Sequence, residues 1–391
     1  MTRSHAIIHA EVLTPLELIH DGAVIWDGST IARVGPTQHL QEVLRGCESV
    51  TSARGQTVAP GFIELHAHGA LGHDVADKNP KGIEKISRHF CAHGTTAFVA
   101  ALCYDPEALR SLRETCRKGV SGAQLLGLYS EGPFINPAKR GGIPEQSVLA
   151  ADPAQLQSIL GELQDSLLLM TLAPEIPGAM DLIPLLRQAG VVAAQGHSDA
   201  SLETAREAAG RGATHLTHLY NAMSGLHHRE PGLAALPFDR ADVTAEITAD
   251  GVHVHPAILR LSLRAQFDPP NLALITDSVR PAGMPDGEYT HLGRPMRLQG
   301  TRAALLDGTL VGSVITQDQA LARVVREAGV PLQKALYMAS TLPAKILGLD
   351  HERGEIAAGK RADMVMLDEG LGVTGTILKG QFLRPTELGE R

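Results

Sequence analysis

A chain of 391 residues, 43% hydrophobic and 20% charged, is long enough to bury a full core and too apolar to be disordered. Its formal net charge of −8 excludes the broad basic face that binding to nucleic acid requires. No stretch approaches the ~20 apolar residues of a membrane span, so neither nucleic acid nor membrane is an expected partner.

In chain order, residues 6–10 form a short apolar strand. The Met1-Thr2-Arg3-Ser4-His5 segment before it has no long apolar run, which predicts no leader peptide and a cytoplasmic protein. Ala23-Val24-Ile25-Trp26 runs into Asp27-Gly28, a hairpin signal, and residues 30–34 return as the second arm. The middle of the chain then alternates apolar runs with helical patterns. Eight runs lie near residues 62–68, 95–102, 124–131, 167–174, 191–197, 213–220, 243–250 and 271–277. Between two of them, Asp152-Pro153 supplies an N-cap and first helical residue, and Leu156, Ile159, Leu160 and Leu163 make one apolar face. Asp105-Pro106 opens a similar segment with Leu109, Leu112 and Cys116. Eight repeats of strand then helix imply an α/β fold, a (β/α)8 TIM-like barrel. Residues 283–312 interrupt the alternation with a β-hairpin insertion, and two helices follow at about 316–328 and 331–347. The tail is β again, at residues 354–356, 362–367 and 375–378. Residues 1–55 and 350–391 therefore predict a small β-sandwich domain built from both termini, around a barrel domain of residues 56–349. The four cysteines, Cys47, Cys91, Cys103 and Cys116, show no C-x-x-C pair or zinc-finger spacing and are expected to be buried, reduced thiols.

A barrel demands that chemistry sit where strands end, at the C-terminal face, and the unusual polar residues fall there. The first run ends Glu64-Leu65-His66-Ala67-His68. Residues i and i+2 of a strand share a face, so His66 and His68 can converge on one ion. The third run ends in Ser130-Glu131-Gly132, the fifth in Gln195-Gly196-His197-Ser198-Asp199, the sixth contains His215-Leu216-Thr217-His218, and the eighth ends in Thr276-Asp277-Ser278. A lone His-x-His pair or a lone glutamate is as readily structural. Agreement of position across five strands points instead to one or two divalent ions, zinc first, with iron or manganese as alternatives. His215, three residues from His218, is expected to face away from the ion. His5, His9, His20, His39, His73, His89, His291 and His351 are read as surface or loop groups.

Beyond this pattern, Pro60-Gly61-Phe62-Ile63-Glu64-Leu65-His66-Ala67-His68-Gly69 resembles the first-strand motif of the amidohydrolase superfamily. Later segments resemble more specifically the N-acetylglucosamine-6-phosphate deacetylase family. These are Glu131-Gly132-Pro133-Phe134-Ile135-Asn136-Pro137, Gly196-His197-Ser198-Asp199-Ala200, Thr217-His218-Leu219-Tyr220-Asn221-Ala222-Met223, His228-Arg229-Glu230-Pro231-Gly232 and Ala249-Asp250-Gly251-Val252-His253. The resemblance runs from about residue 55 to residue 370, in order and with spacing kept.

The resemblance implies roles. Glu131, His197 and His218 would hold the principal metal; His66 and His68, with Glu131 bridging and Asp277 nearby, would hold a second. Asn221, the backbone at Ala222, Arg229 and His253 would contact the sugar phosphate, and Gly142, Leu310, Val311 and Gly312 the rest of the substrate. The arginine matching Arg229 would come from the neighbouring subunit of a homodimer. The chemistry agrees: a metal polarises the amide carbonyl and brings bound water to a pKa of about 7, and Asp277 can move the proton from water to the departing amine. Two departures stand out. The family's Lys-Lys-Gly-Ala-His segment reads Lys139-Arg140-Gly141-Gly142-Ile143 here, and its His-x-Glu-Gly-Pro reads Tyr129-Ser130-Glu131. No metal ligand is lost, but isoleucine cannot make a polar contact. The expected activity is removal of acetate from N-acetylglucosamine 6-phosphate. Alternatives are N-acetylgalactosamine 6-phosphate, a differently acylated amino sugar, or another amidohydrolase substrate such as an acylamino acid or cyclic amide.

Overall fold

The computed structural model describes residues 4–389. Met1, Thr2 and Arg3, which open the segment read above as lacking a leader, lie outside them. The eight apolar runs become strands Phe62–Ala67, Thr95–Cys103, Gln124–Glu131, Leu167–Leu172, Val192–Gln195, His215–Leu216, Thr244–Thr248 and Leu272–Ile275, and they pair in chain order. All seven ladders between them are parallel. Strands buried on both faces need apolar residues throughout, which is why these runs show little alternation. The connecting helices start where the sequence places caps. Asp105 accepts from the backbone N–H groups of Glu107 and Ala108, and Asp152 from Ala154. Helices Pro106–Lys118 and Pro153–Leu163 follow, turning Leu109, Leu112, Leu156, Ile159 and Leu163 onto the barrel.

The first and eighth barrel strands share no continuous ladder, and side chains complete the seam. Glu64, fully buried, accepts the N–H of His66 through one oxygen and the N–H of Thr276 through the other, each at 2.9 Å. Asp277 then donates its N–H to the His66 carbonyl at 2.9 Å, and His68 donates to Ser278 at 2.8 Å. Burial pushes the Glu64 carboxyl up to about 8, against the pull of its hydrogen bonds. The seam thus fixes Asp277 beside the His66–His68 pair.

Both chain ends meet in one mixed sheet. Its order runs Gln381–Leu383, Val373–Leu378, Met364–Leu367, Thr57–Pro60, Ser4–Leu13, Leu18–Asp27 and Thr30–Pro36, with Ser49–Ser52 also pairing with Ser4–Leu13. Thr57–Pro60 belongs to this sheet, and only Gly61 separates it from the first barrel strand. A Cβ on Gly61 would fall within 2.4 Å of the Thr96 side chain, so no other residue fits between the sheet and the barrel.

The insertion forms three antiparallel strands, Gly287–His291, Arg294–Gln299 and Arg302–Leu305. Its first turn carries Leu292 and Gly293, both at positive φ, the backbone that a two-residue hairpin turn prefers. Leu292 packs with Cys103, Ile135 and Ile143 at the barrel mouth. Helix Gln317–Arg326 follows, and Leu332–Leu336 continues through a widened turn into Leu342–Ile346. The cysteine expectation holds in part: all four are free, Cys91 and Cys103 are buried, and Cys47 and Cys116 are partly exposed. Among the described residues no helix is long and apolar enough to cross a membrane.

The seam makes a graded prediction. Glu64→Gln keeps one carbonyl acceptor and turns an amide donor toward the other N–H, which is expected to cost about 1–3 kcal/mol. Glu64→Leu strands both N–H groups and is expected to cost roughly twice that. Denaturant unfolding of the two variants measures the difference, and equal stability of Leu and wild type would remove Glu64 from the seam.

Candidate active site

The expected ligands meet at the barrel mouth around one carboxylate. Glu131 Oε1 lies 2.9 Å from His197 Nε2 and 3.0 Å from His218 Nε2, and those two nitrogens are 3.1 Å apart. On the other side, Glu131 Oε2 lies 3.6 Å from His68 Nε2, Glu131 Oε1 lies 3.8 Å from His66 Nε2, and the two imidazole nitrogens are 3.2 Å apart. Glu131 is therefore shared by two triads, His66–His68–Glu131 and Glu131–His197–His218, both buried. Asp277 closes the cluster, with Oδ1 3.3 Å from His68 Nε2 and 3.7 Å from His66 Nε2.

These spacings fit a metal. Ligands bound tetrahedrally at about 2.0–2.1 Å lie roughly 3.3 Å from one another. The tautomers fit as well. His197 Nδ1 is 2.8 Å from the carbonyl oxygen of Lys139, which can only accept, so that nitrogen carries the proton and Nε2 turns a lone pair to the cluster. His66 Nδ1 is 2.9 Å from the Glu246 carboxylate, with the same consequence. Burial alone would raise the Glu131 carboxyl, but the imidazoles of His197 and His218 against it hold it well below the usual carboxylate range. The Asp277 carboxyl is likewise lowered, its hydrogen bond with His68 overcoming burial.

The backbone is strained where these groups sit. His197, His218 and Asp277 have φ of 48°, 26° and 51°, and Ala222 has 49°. Non-glycine residues rarely adopt the left-handed region, and each such residue costs energy that the surrounding packing must supply. At these three strand ends the left-handed residue is itself one of the groups at the common centre, whereas His66, His68 and Glu131 reach it without positive φ.

The centre opens onto a cavity of about 380 Å³. Of the expected substrate contacts, Gly142, Asn221, Ala222, His253, Leu310, Val311 and Gly312 line it. His253 is held by Asp250, whose Oδ2 is 2.7 Å from Nδ1 and whose Oδ1 accepts the N–H groups of Val252 and His253. Arg229 is exposed on the loop after the sixth strand, with Nη1 2.8 Å from His228 Nε2, and does not line its own chain's cavity.

Sequence reasoning does not single out two groups that the structure brings in. Glu246, fully buried in the seventh strand, holds His66 Nδ1, His215 Nε2 at 3.2 Å and the N–H of His218 at 3.0 Å. Its signal was a carboxylate inside the apolar run Val243-Thr244-Ala245-Glu246-Ile247. His215 accordingly stays outside both triads, one carboxylate away from His66. His291 corrects the surface reading: it is 6% exposed and lines the cavity, because the inserted hairpin folds over the mouth. Burial, with the charges of neighbouring His68 and Arg294, pushes its imidazole down to about 4. His89, also read as a surface group, is buried in helix Pro80–Ala92.

Glu246 carries a prediction. Glu246→Gln offers one acceptor where three donors converge, so His66 loses its fixed tautomer. Affinity for a divalent ion is expected to fall about 10- to 100-fold, measured by competition with a chelator. Unchanged affinity in a folded variant would contradict the orienting role.

Comparison with known proteins agrees with this geometry. The amidohydrolase family model matches residues 57–383. The chain is 37% identical over 339 residues to N-acetylgalactosamine-6-phosphate deacetylase of Escherichia coli O157:H7, covering 85% of this chain and 89% of that one. It is 35% identical over 329 residues to N-acetylglucosamine-6-phosphate deacetylase of Vibrio furnissii, covering 83% and 82%. Among solved structures, a variant of the Mycobacterium smegmatis N-acetylglucosamine-6-phosphate deacetylase, in complex with N-acetylglucosamine 6-phosphate, superposes with a TM-score of 0.88 at 32% identity, covering 97% and 99%. With the fold, the strand-end ligands and these likenesses together, the chain belongs to the amidohydrolase family, in the branch of the N-acetylglucosamine-6-phosphate deacetylases.

Proposed function

We propose that this amidohydrolase removes the acetyl group from an N-acetyl amino-sugar 6-phosphate, with N-acetylglucosamine 6-phosphate as first substrate and glucosamine 6-phosphate and acetate as products. The observation that carries the reading is that His68, Glu131, His197, His218 and Asp277, with His66 buried directly behind them, face one cavity together with the expected substrate contacts. The names of the relatives support it. N-acetylgalactosamine 6-phosphate is the second reading, favoured by the 37% identical relative and by apolar Ile143 at the cavity wall.

Glu131, His197 and His218 would hold the principal ion, and His66 and His68, sharing Glu131, a second; zinc is the first expectation, iron or manganese the alternatives. A bound divalent ion would supply Lewis-acid polarisation of the amide carbonyl and acidify water. Asp277, beside His68, would take the proton of the attacking water at its carboxylate and return it to the departing amine nitrogen, which otherwise leaves poorly. Asn221, the backbone at Ala222, and His253 as oriented by Asp250 would bind the sugar phosphate. Gly142 and Leu310-Val311-Gly312 would wall the ring. Acetate release from N-acetylglucosamine 6-phosphate tests the whole. Chelation is expected to abolish it, and Asp277→Asn, which cannot take the proton, to reduce turnover at least ~10²-fold with metal retained. Near-normal turnover in that variant would give the proton transfer to another group.

The exposed loop bearing Arg229 supports a homodimer in which each cavity receives the partner's Arg229, whose planar fork matches phosphate. A two-fold interface completes both sites together. Arg229→Ala and Asp277→Ala homodimers should each be severely impaired. Co-expressed, they pair at random, about half the dimers are mixed, and each mixed dimer has one complete site, so activity should return to roughly a quarter of wild type. An arginine that serves its own chain gives no such rescue. Cytoplasmic location is proposed along with this activity.

A further inference from the structure

We propose that His291 is a substrate-contacting residue that donates a hydrogen bond to a hydroxyl group of the sugar ring. The proposal rests on the sugar-phosphate reading above and adds a group that the catalytic scheme does not use.

The inserted hairpin builds the position. His291 ends strand Gly287–His291 and pairs across the turn with Arg294. Two contacts lock that turn to the segment at the cavity wall. Leu292 packs with Ile143, and the Arg294 guanidinium donates to the Gly142 carbonyl. The His291 imidazole is 6% exposed and lines the cavity with His68, Glu131 and Asp277. Its Nδ1 is buried with no hydrogen-bond partner. An unpaired buried N–H is costly, so Nδ1 is the nitrogen without the proton. Nδ1 has nothing to donate to, which leaves the proton on Nε2. That nitrogen is on the Gly142 side, 3.6 Å from where a Cβ on Gly142 would be. Gly142 and Val311, its neighbours there, present backbone and an isopropyl group. His291 thus offers a polar side chain beside Gly142 and Val311, and an N–H donor there matches a hydroxyl oxygen.

The test is a coupling measurement between protein and substrate. Wild type, His291→Leu and His291→Gln, each checked for metal content, are assayed on N-acetylglucosamine 6-phosphate and on its 1-deoxy, 3-deoxy and 4-deoxy analogues, with the N-acetylgalactosamine set in parallel. His291→Leu is expected to lower kcat/KM on the full substrate about 10- to 100-fold, while one deoxy analogue is turned over equally by Leu and wild type, because the lost partner is already missing. His291→Gln, whose amide nitrogen reaches toward the place of Nε2, is expected to recover most of the loss. An equal drop on every substrate, or no drop on any, overturns the proposal. Wild type that hydrolyses none of these sugars sinks the functional reading itself, a distinct result from an active wild type whose Leu variant shows no coupling.

Discussion

The structure turns on a buried carboxylate faced by four imidazole nitrogens. Glu131 reaches His197 and His218 through short contacts and His66 and His68 through longer ones. A charge taken out of water must be paired or coordinated. Lone pairs crowded within 3.1–3.2 Å of each other, as in the His197–His218 and His66–His68 pairs, repel unless a proton or a cation stands between them. The carbonyl of Lys139 and the carboxylate of Glu246 take the Nδ1 protons of His197 and His66, so the outer contacts favour a cation at the centre. The rest of the mouth is arranged to keep these atoms where they are.

That arrangement costs energy, and the scaffold supplies it. Left-handed backbone at His197 and His218 follows short strands locked between parallel neighbours, and at Asp277 a strand paired on one side and held on the other by the seam. The incomplete ladder between the first and eighth strands is replaced by Glu64 and by the exchange between His66, His68, Asp277 and Ser278. The contacts that close the barrel are therefore those that bring Asp277 to the histidine pair. Stability and chemistry share residues here, so changes at the seam affect both.

Much of this was legible in the sequence. The eight apolar runs carry their own period and length, and five of them end in polar groups that a barrel has reason to place only at its mouth. His66, His68, Glu131, His197, His218 and Asp277 were recognisable because strand ends are local features. The groups that escaped notice depend on contacts distant in sequence. Glu246 lies 180 residues from His66, and its carboxylate marks a site only once the strands close. Glu64 sits in the same motif as His66, yet its partner, Thr276, is 212 residues away. His291 looked like a loop residue because nothing in a hairpin sequence states where the hairpin folds. The cysteines were half legible, since burial of Cys91 and Cys103 follows from the apolar elements that carry them, while Cys47 follows a short surface helix.

The claim that Glu131 is a shared ligand is tested most directly by anomalous X-ray scattering from crystals of the protein grown with zinc, recorded on both sides of the zinc edge. The account predicts one or two anomalous peaks within about 2–2.5 Å of the Glu131 carboxylate, with the Nε2 atoms of His197 and His218 as further ligands of the principal ion. A peak held by other residues, or none at Glu131 in zinc-saturated crystals, would contradict it.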